Sequence, residues 1–329
     1  MNSLPLVDVS PLLHPDADAA TCADVGQAID AACRDTGFLL VTGHGIDPRL
    51  RDELERLSRE FFALPEQVKA QIAMIRGGLA WRGWFPVGAE LTSGQPDRKE
   101  GLYFGTELPA DDARVVAGTP LHGPNLFPAE PAALRPVVLQ WIEQVTAVGQ
   151  AVLRGVGLGL GLGPDWFAQH LTADPTVLFR VFHYPPGDSQ SWGVGEHTDY
   201  GLITVLAQDS HGGLQVRSGG HWIDVPADPY VFVVNIGDML ERMTSGGYRS
   251  NPHRVRNLSD ADRLSFPLFV DPSWDATVTP LPEAALAGVR GDAAERWDGQ
   301  SVHAWDGVYG DYLTAKVAKV FPELAAALR

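Results

Sequence analysis

Apolar positions in the first third of the chain recur alternately at strand and helix spacing. Leu4 to Val9 is a short apolar run broken by Pro and Asp. Val25, Ala28, Ile29 and Ala32 mark one face of a helix over about residues 18–34, ended by Thr36-Gly37. Phe38-Leu39-Leu40-Val41 predicts a short buried strand, closed by Gly43-His44-Gly45. Asp47-Pro48 then opens a second helix with Leu50, Leu54, Leu57 and Phe61 on one face, and Pro65-Glu66 starts a third.

From about Gly77 to Pro128 the period is lost among Gly, Pro and aromatic residues, which predicts a long ordered loop with a few short strands. Arg82, Trp84 and Phe85 there, with Trp192, are candidates to line a substrate pocket. A long amphipathic helix follows from about Arg135 to Gly155, with Pro136 tolerated in its first turn. The glycines at 155, 157, 159, 161 and 163 look like a nucleotide loop but lack the G-x-G-x-x-G spacing and follow a helix, so they predict a flexible helix terminus.

Beyond Thr176 the period changes to that of strands. Val177–Tyr184, Leu202–Ala207, Gly213–Val216, Val231–Asn235 and Leu264–Val270 are short β runs separated by turns, without a long helix between them. This predicts an antiparallel sandwich or barrel. Tyr309 to Phe321 returns to helical spacing. No repeat or low-complexity linker divides the 329 residues, which predicts an α+β fold of one domain, a β core with helices packed outside.

Composition changes this picture little and charge narrows it. A formal charge of −16 disfavours nucleic acid, because phosphate neutralisation needs clustered Lys and Arg. No 18-residue apolar stretch and no basic, apolar leader occur at the start, so neither membrane nor secretion is expected and a cytoplasmic location follows. Cys22 and Cys33 fall in one predicted helix, roughly 16 Å apart at helical rise, too far to bridge. Two free thiols in a reducing compartment are expected.

The candidate chemistry lies in His197-Thr198-Asp199, expected at the start of a strand, where residues i and i+2 share a face. One imidazole and one carboxylate then project together with Thr198 turned away. With a second His they would form the two-histidine, one-carboxylate site of non-haem Fe(II) oxygenases, which leaves three positions open. The tripeptide alone is weak: ten His and 27 Asp in 329 residues give about one His-x-Asp by chance. His14-Pro15-Asp16 is such a second copy, in a loop where Asp16 is expected to cap the first helix.

His253 supplies the missing imidazole, 54 residues after Asp199 at the start of another β run. Arg263 and Ser265 share one strand face ten residues further, a guanidinium and a hydroxyl suited to a buried carboxylate. Tyr184 could add a hydrogen bond.

In this order and spacing, His197-x-Asp199, His253 and Arg263-x-Ser265 resemble the motif of the isopenicillin N synthase-like branch of the 2-oxoglutarate-dependent oxygenases. The likeness extends over nearly the whole chain. It includes Leu4-Pro5-Leu6-Val7-Asp8, Gly37-Phe38, Gly43-His44-Gly45, Gly213-Leu214-Gln215-Val216, Asn235-Ile236-Gly237-Asp238, Tyr248-Arg249-Ser250 and Gly310-Asp311-Tyr312-Leu313 to Phe321-Pro322.

The resemblance implies a double-stranded β-helix, a jelly-roll of cupin type, with its core at 176–272, an N-terminal region at 1–120 and C-terminal helices at 283–329. It implies Fe(II) on His197, Asp199 and His253, and 2-oxoglutarate chelating that iron with its distal carboxylate on Arg263 and Ser265 beside Tyr184. O2 would be the second cosubstrate. The reaction would release succinate and CO2 and hydroxylate a small molecule, with desaturation, ring closure or epoxidation as variants.

One departure is Phe182, where the family often has Asn two residues before the Tyr of the Tyr-Pro pair. Two alternatives stay open. One is an Fe(II) oxidase that uses no 2-oxoglutarate and binds its substrate's carboxylate at Arg263 and Ser265; the other is a non-catalytic β-helix binding protein. A zinc hydrolase lacks support, since no H-E-x-x-H or H-x-H-x-D cluster occurs. Oligomeric state and substrate identity are not encoded in these motifs.

Overall fold

The computed structural model describes residues 3–92, 94–187, 192–282, 302–305, 307–322 and 326. Fourteen strands occur among them. They are β1 (Leu6–Asp8), β2 (Phe38–Thr42), β3 (Gly83–Phe85), β4 (Leu91–Thr92), β5 (Gln95–Pro96), β6 (Glu100–Gly105) and β7 (Pro175–Tyr184) in the first half. β8 (Val194–His197), β9 (Ile203–Gln208), β10 (Leu214–Ser218), β11 (His221–Asp224), β12 (Phe232–Ile236), β13 (His253–Val255) and β14 (Arg263–Ser273) follow.

Eight strands form a major sheet in the order β1-β2-β12-β9-β14-β7-β6-β3, and four form a minor sheet, β11-β10-β13-β8. All pairs are antiparallel except β1 with β2. The expected strands of residues 176–272 are present. The major sheet also recruits β1, β2, β3 and β6 from the N-terminal region, so the β core reaches well beyond that segment. The two sheets are not joined into a closed barrel among the described residues.

Two cores account for the layering. Phe38, Tyr184 and Val233 from the major sheet pack against Val194, Leu214, Val216 and Val255 from the minor sheet. The opposite face of the major sheet, with Val205, Phe232, Phe266, Leu268 and Val270, packs on the long helix Leu134–Gly159 and its neighbours. That helix buries Val138, Trp141, Ile142, Val145, Val148 and Val152, spaced at three and four residues. Helices Ala19–Asp35 and Pro48–Phe62 flank it, close to their expected bounds. The first is capped by the Asp18 side chain, which accepts from the Ala20 and Thr21 amides; Asp16 does not serve.

The glycine run is not a flexible terminus. The helix continues through Gly159, and its glycines admit the helix Ala19–Asp35 at close range. A Cβ on Gly155 would stand 2.4 Å from Ile29 Cδ1, and one on Gly159 would stand 2.5 Å from the Gly26 carbonyl oxygen. Helix propensity favours Ala over Gly by about 1 kcal/mol. Overpacking against a neighbouring backbone costs about 1–3 kcal/mol and wins here, because that obstacle cannot rotate away. Gly159→Ala is therefore expected to lower unfolding free energy by up to about 2 kcal/mol in urea titration, a net of these two effects; raised stability would contradict this packing.

Candidate metal centre

His197 and His253 face each other directly across the antiparallel pair β8/β13. That register puts both imidazoles on the same face, with ring centroids 4.1 Å apart. His197 ends its strand, contrary to the expected strand start, and Asp199 follows in the turn before β9. Shared strand parity therefore does not explain the pairing of His197 with Asp199. Thr198, expected to turn away, also borders the cavity because the chain has left strand geometry.

What holds Asp199 in place is the major sheet. Its Oδ2 accepts from Thr204 Oγ1 at 2.5 Å and from Asn235 Nδ2 at 2.7 Å. Thr204 and Asn235 are cross-strand partners on β9 and β12, and the Asp238 amide donates to the Asp199 carbonyl. Oδ1 is left facing His197 Nε2 at 3.9 Å and His253 Nε2 at 3.8 Å. One atom from each of the three residues lies within 4.8 Å of the others, the only such group of His, Cys, Asp and Glu among the described residues.

These donors fit a divalent iron. Adjacent ligand atoms on an octahedron with bonds of about 2.1 Å lie about 3 Å apart, so the two edges that run from Asp199 Oδ1, at 3.9 and 3.8 Å, need to close by about 1 Å on loading. His197 Nδ1 lies 2.8 Å from the Gly195 carbonyl, which fixes the tautomer with Nε2 free to ligate. His253 Nδ1 faces the Asn251 carbonyl without a well-aligned bond. Burial, reinforced by His197, pushes the His253 imidazole down to about 4 and keeps it neutral. Burial pushes the Asp199 carboxyl up, but the two imidazoles and the Asn235 and Thr204 hydrogen bonds outweigh it and hold it below its usual value.

Beside the triad lies a cavity of about 380 Å³ between the sheets, bordered also by Arg263, Ser265 and Tyr184. Arg263 has no exposed surface. Its Nη2 donates to Gln208 Oε1 at 3.0 Å and its Nε to the His211 carbonyl at 3.3 Å, while Nη1 has no partner. A buried guanidinium with an unused donor needs an anion. Ser265 Oγ and the Tyr184 hydroxyl lie 3.3 Å apart, and Tyr184 pairs with Arg263 across β7/β14. The three cosubstrate candidates are thus brought together, and the orphaned Nη1 suits the distal carboxylate of 2-oxoglutarate. Phe182 also borders the cavity and pairs with Ser265 across the strands, offering no polar atom there.

The other expected pocket residues are elsewhere. Arg82 donates to the Leu121 carbonyl and Trp84 to Glu100, while Phe85 packs edge-on to Tyr103 and Phe321. Trp192 stacks under Arg254 and Arg256. The cavity instead uses Arg180, Tyr103, Glu90 and Lys99, with Leu313 and Lys316 from the helix Tyr309–Val320. Arg180 was legible in principle: it alternates with Phe182 and Tyr184 on β7.

Asp271, at the cavity edge, accepts from the Tyr309 hydroxyl at 2.6 Å. Burial pushes its carboxyl up to about 7, with Asp199 adding to the rise. An acid whose pKa is higher folded than unfolded loses folding stability as pH rises from about 4 to 7. Asp271→Asn removes that loss. Its stability relative to the parent is expected to increase by roughly 2 kcal/mol between pH 5 and pH 7, read by chemical denaturation. A difference that does not change with pH would count against this assignment.

The chain is similar to known proteins over nearly its whole length. The profile "non-haem dioxygenase in morphine synthesis N-terminal" matches residues 4–130, and "2OG-Fe(II) oxygenase superfamily" matches residues 175–272. A Dictyostelium discoideum protein named "Probable iron/ascorbate oxidoreductase" is 42% identical over 98% of this chain and 96% of its own. A homoarginine-6-hydroxylase of Arabidopsis thaliana is 35% identical over 97% of this chain and 98% of its own. A Neurospora crassa protein solved in complex with alpha-KG superposes with a TM-score of 0.78 at 27% identity, covering 96% of each chain.

The chain belongs to the 2OG-Fe(II) oxygenase superfamily. It is a non-haem dioxygenase of jelly-roll fold whose cofactor is Fe(II) and whose cosubstrates are 2-oxoglutarate and O2.

Proposed function

We propose that the enzyme hydroxylates a small molecule at iron held by His197, Asp199 and His253, with 2-oxoglutarate anchored by Arg263, Ser265 and Tyr184. Bound iron supplies the activation of O2 and the oxidation of a C–H bond. The chain's own groups do the rest. Thr204 and Asn235 orient the Asp199 carboxylate, the Gly195 carbonyl sets the His197 tautomer, and Arg263 neutralises the distal carboxylate in a buried site. The walls exclude water around that charge pair, which strengthens it.

The observation that carries the reading is the unused Nη1 of fully buried Arg263 in the same cavity as the triad. The chain is read as one catalytic unit, 1–329, acting in a reducing compartment such as the cytoplasm, a setting that suits its two unpaired thiols. No helix among the described residues is long and apolar enough to cross a membrane.

Succinate formation from 2-oxoglutarate, measured with and without candidate substrates, tests the reading. Iron- and O2-dependent succinate release is expected even without substrate, at a slow uncoupled rate. Oxidation of a substrate with no 2-oxoglutarate consumed would favour an oxidase instead; a relative named 1-aminocyclopropane-1-carboxylate oxidase, 34% identical over 98% of this chain, keeps that outcome in view.

A further inference from the structure

Arg263 is held in place by a neutral side chain. Gln208 lies on β9 directly opposite Ser265 of β14, and cross-strand partners share a face, so its side chain joins those of Arg263 and Ser265 between the sheets. It has no exposed surface. Its Oε1 accepts from Arg263 Nη2 at 3.0 Å, while its Nε2 has no partner. Gln208 is not among the residues that border the cavity, so its effect on a ligand runs through Arg263.

Both acceptors on Arg263 are uncharged. One is the Gln208 amide oxygen, the other the His211 carbonyl, and the remaining contact is the Tyr184 ring. The acids behind this layer have cations of their own. Asp209, next to Gln208, pairs with Arg59 at 2.8 Å and also accepts from the Leu264 and His211 amides. Glu55 closes on Arg51 and Arg59. These two acids and two guanidinia match one another, which leaves Arg263 with neutral partners and the unused Nη1 donor.

Glutamate has nearly the shape of glutamine, and a carboxylate at position 208 would accept from the same Nη2 donor. Arg263 would then have a counter-ion within the protein, and an arriving carboxylate would meet a paired guanidinium with a second anion beside it. The amide holds the guanidinium by one hydrogen bond and adds no charge. Burying Nε2 without a partner is costly to folding, so stability alone does not account for glutamine here.

We propose that Gln208 is a positioning residue whose neutrality sets the anion selectivity of the cosubstrate site: it orients Arg263 without cancelling its charge. This rests on Arg263 being the anchor for the distal carboxylate of 2-oxoglutarate.

The test compares the parent with Gln208→Glu and Gln208→Met, each as the full chain loaded anaerobically with Co(II). Calorimetry measures binding of 2-oxoglutarate and of 2-oxopentanoate, which keeps the 2-oxo acid end and lacks the distal carboxylate. The parent is expected to prefer 2-oxoglutarate about 30-fold or more. In Gln208→Glu that preference should fall to about threefold or less, with Co(II) stoichiometry and 2-oxopentanoate binding unchanged. Gln208→Met, which removes the acceptor and adds no charge, should keep most of the preference. In thermal unfolding of the metal-free chain, Gln208→Glu should melt at or above the parent, because the introduced carboxylate pairs with Arg263.

Three results would overturn the proposal: an undiminished preference in Gln208→Glu, an equal loss of preference in Gln208→Met, or a Gln208→Glu chain that melts below the parent. A parent protein that binds 2-oxoglutarate no better than 2-oxopentanoate would instead sink the functional reading. The unfolding comparison needs no cosubstrate and would still test whether a carboxylate at position 208 pairs with Arg263.

Discussion

Asp199→Ala is expected to abolish turnover, lowering succinate formation on the order of 1,000-fold or more while the protein stays folded. The reasoning starts from charge. Asp199 is the single carboxylate in the group; the other two donors are imidazoles, and burial holds that of His253 near 4. Removing Asp199 takes away both one coordination bond and the charge that offsets a divalent ion. Losing a group that only orients a ligand costs about 10–100-fold. Asn235→Ala and Thr204→Val should fall in that smaller range, since each removes one hydrogen bond to Oδ2 and leaves Oδ1 in place. A ranking in which Asn235→Ala costs as much as Asp199→Ala would mean that Asp199 is positioned for something other than metal.

The second large effect belongs to Arg263. Truncating one member of a buried, hydrogen-bonded charge pair costs about 2–5 kcal/mol, so Arg263→Ala should raise the KM for 2-oxoglutarate by roughly 30- to several-thousand-fold. Iron affinity should not move, because Arg263 contacts none of the three ligands: its partners are Gln208, the His211 carbonyl and the Tyr184 ring. The split between an altered cosubstrate KM and an intact metal site is the informative part. A change confined to the KM of the oxidised substrate would place the substrate's carboxylate at Arg263 and favour the oxidase alternative.

Much of this site was legible because its signals are local. His197-x-Asp199, His253 and Arg263-x-Ser265 are short patterns, and each falls where a strand begins or ends. The strand hypothesis for His197 and Asp199 nevertheless had the wrong cause. The histidines converge by cross-strand register, and Asp199 is oriented by Thr204 and Asn235, partners set by pairing of β9 with β12. Register between distant strands leaves no mark in local periodicity. Arg180 and Tyr103 were missed for a related reason. They meet only because β6, from the segment expected to be mostly loop, pairs with β7.

The glycine run shows the converse error. The glycines of residues 155–159 have low intrinsic helix propensity, and tertiary approach explains why they are needed: the helix Ala19–Asp35 at Gly155 and Gly159, and the Gly163 carbonyl at Gly157. Trp84 and Trp192 looked like pocket residues by type, yet each has another partner, Glu100 for the first and the Arg254 and Arg256 guanidinia for the second. Residue type alone does not report which face of an irregular segment turns inward.

An anaerobic titration with Fe(II) followed by 2-oxoglutarate, in the parent protein, Asp199→Ala and Arg263→Ala, tests the central claim most directly. One iron per chain is predicted in the parent and in Arg263→Ala but not in Asp199→Ala. Tight 2-oxoglutarate binding should require both the iron and Arg263. Undiminished iron binding in Asp199→Ala, or 2-oxoglutarate binding indifferent to metal, would contradict the assignment of this centre.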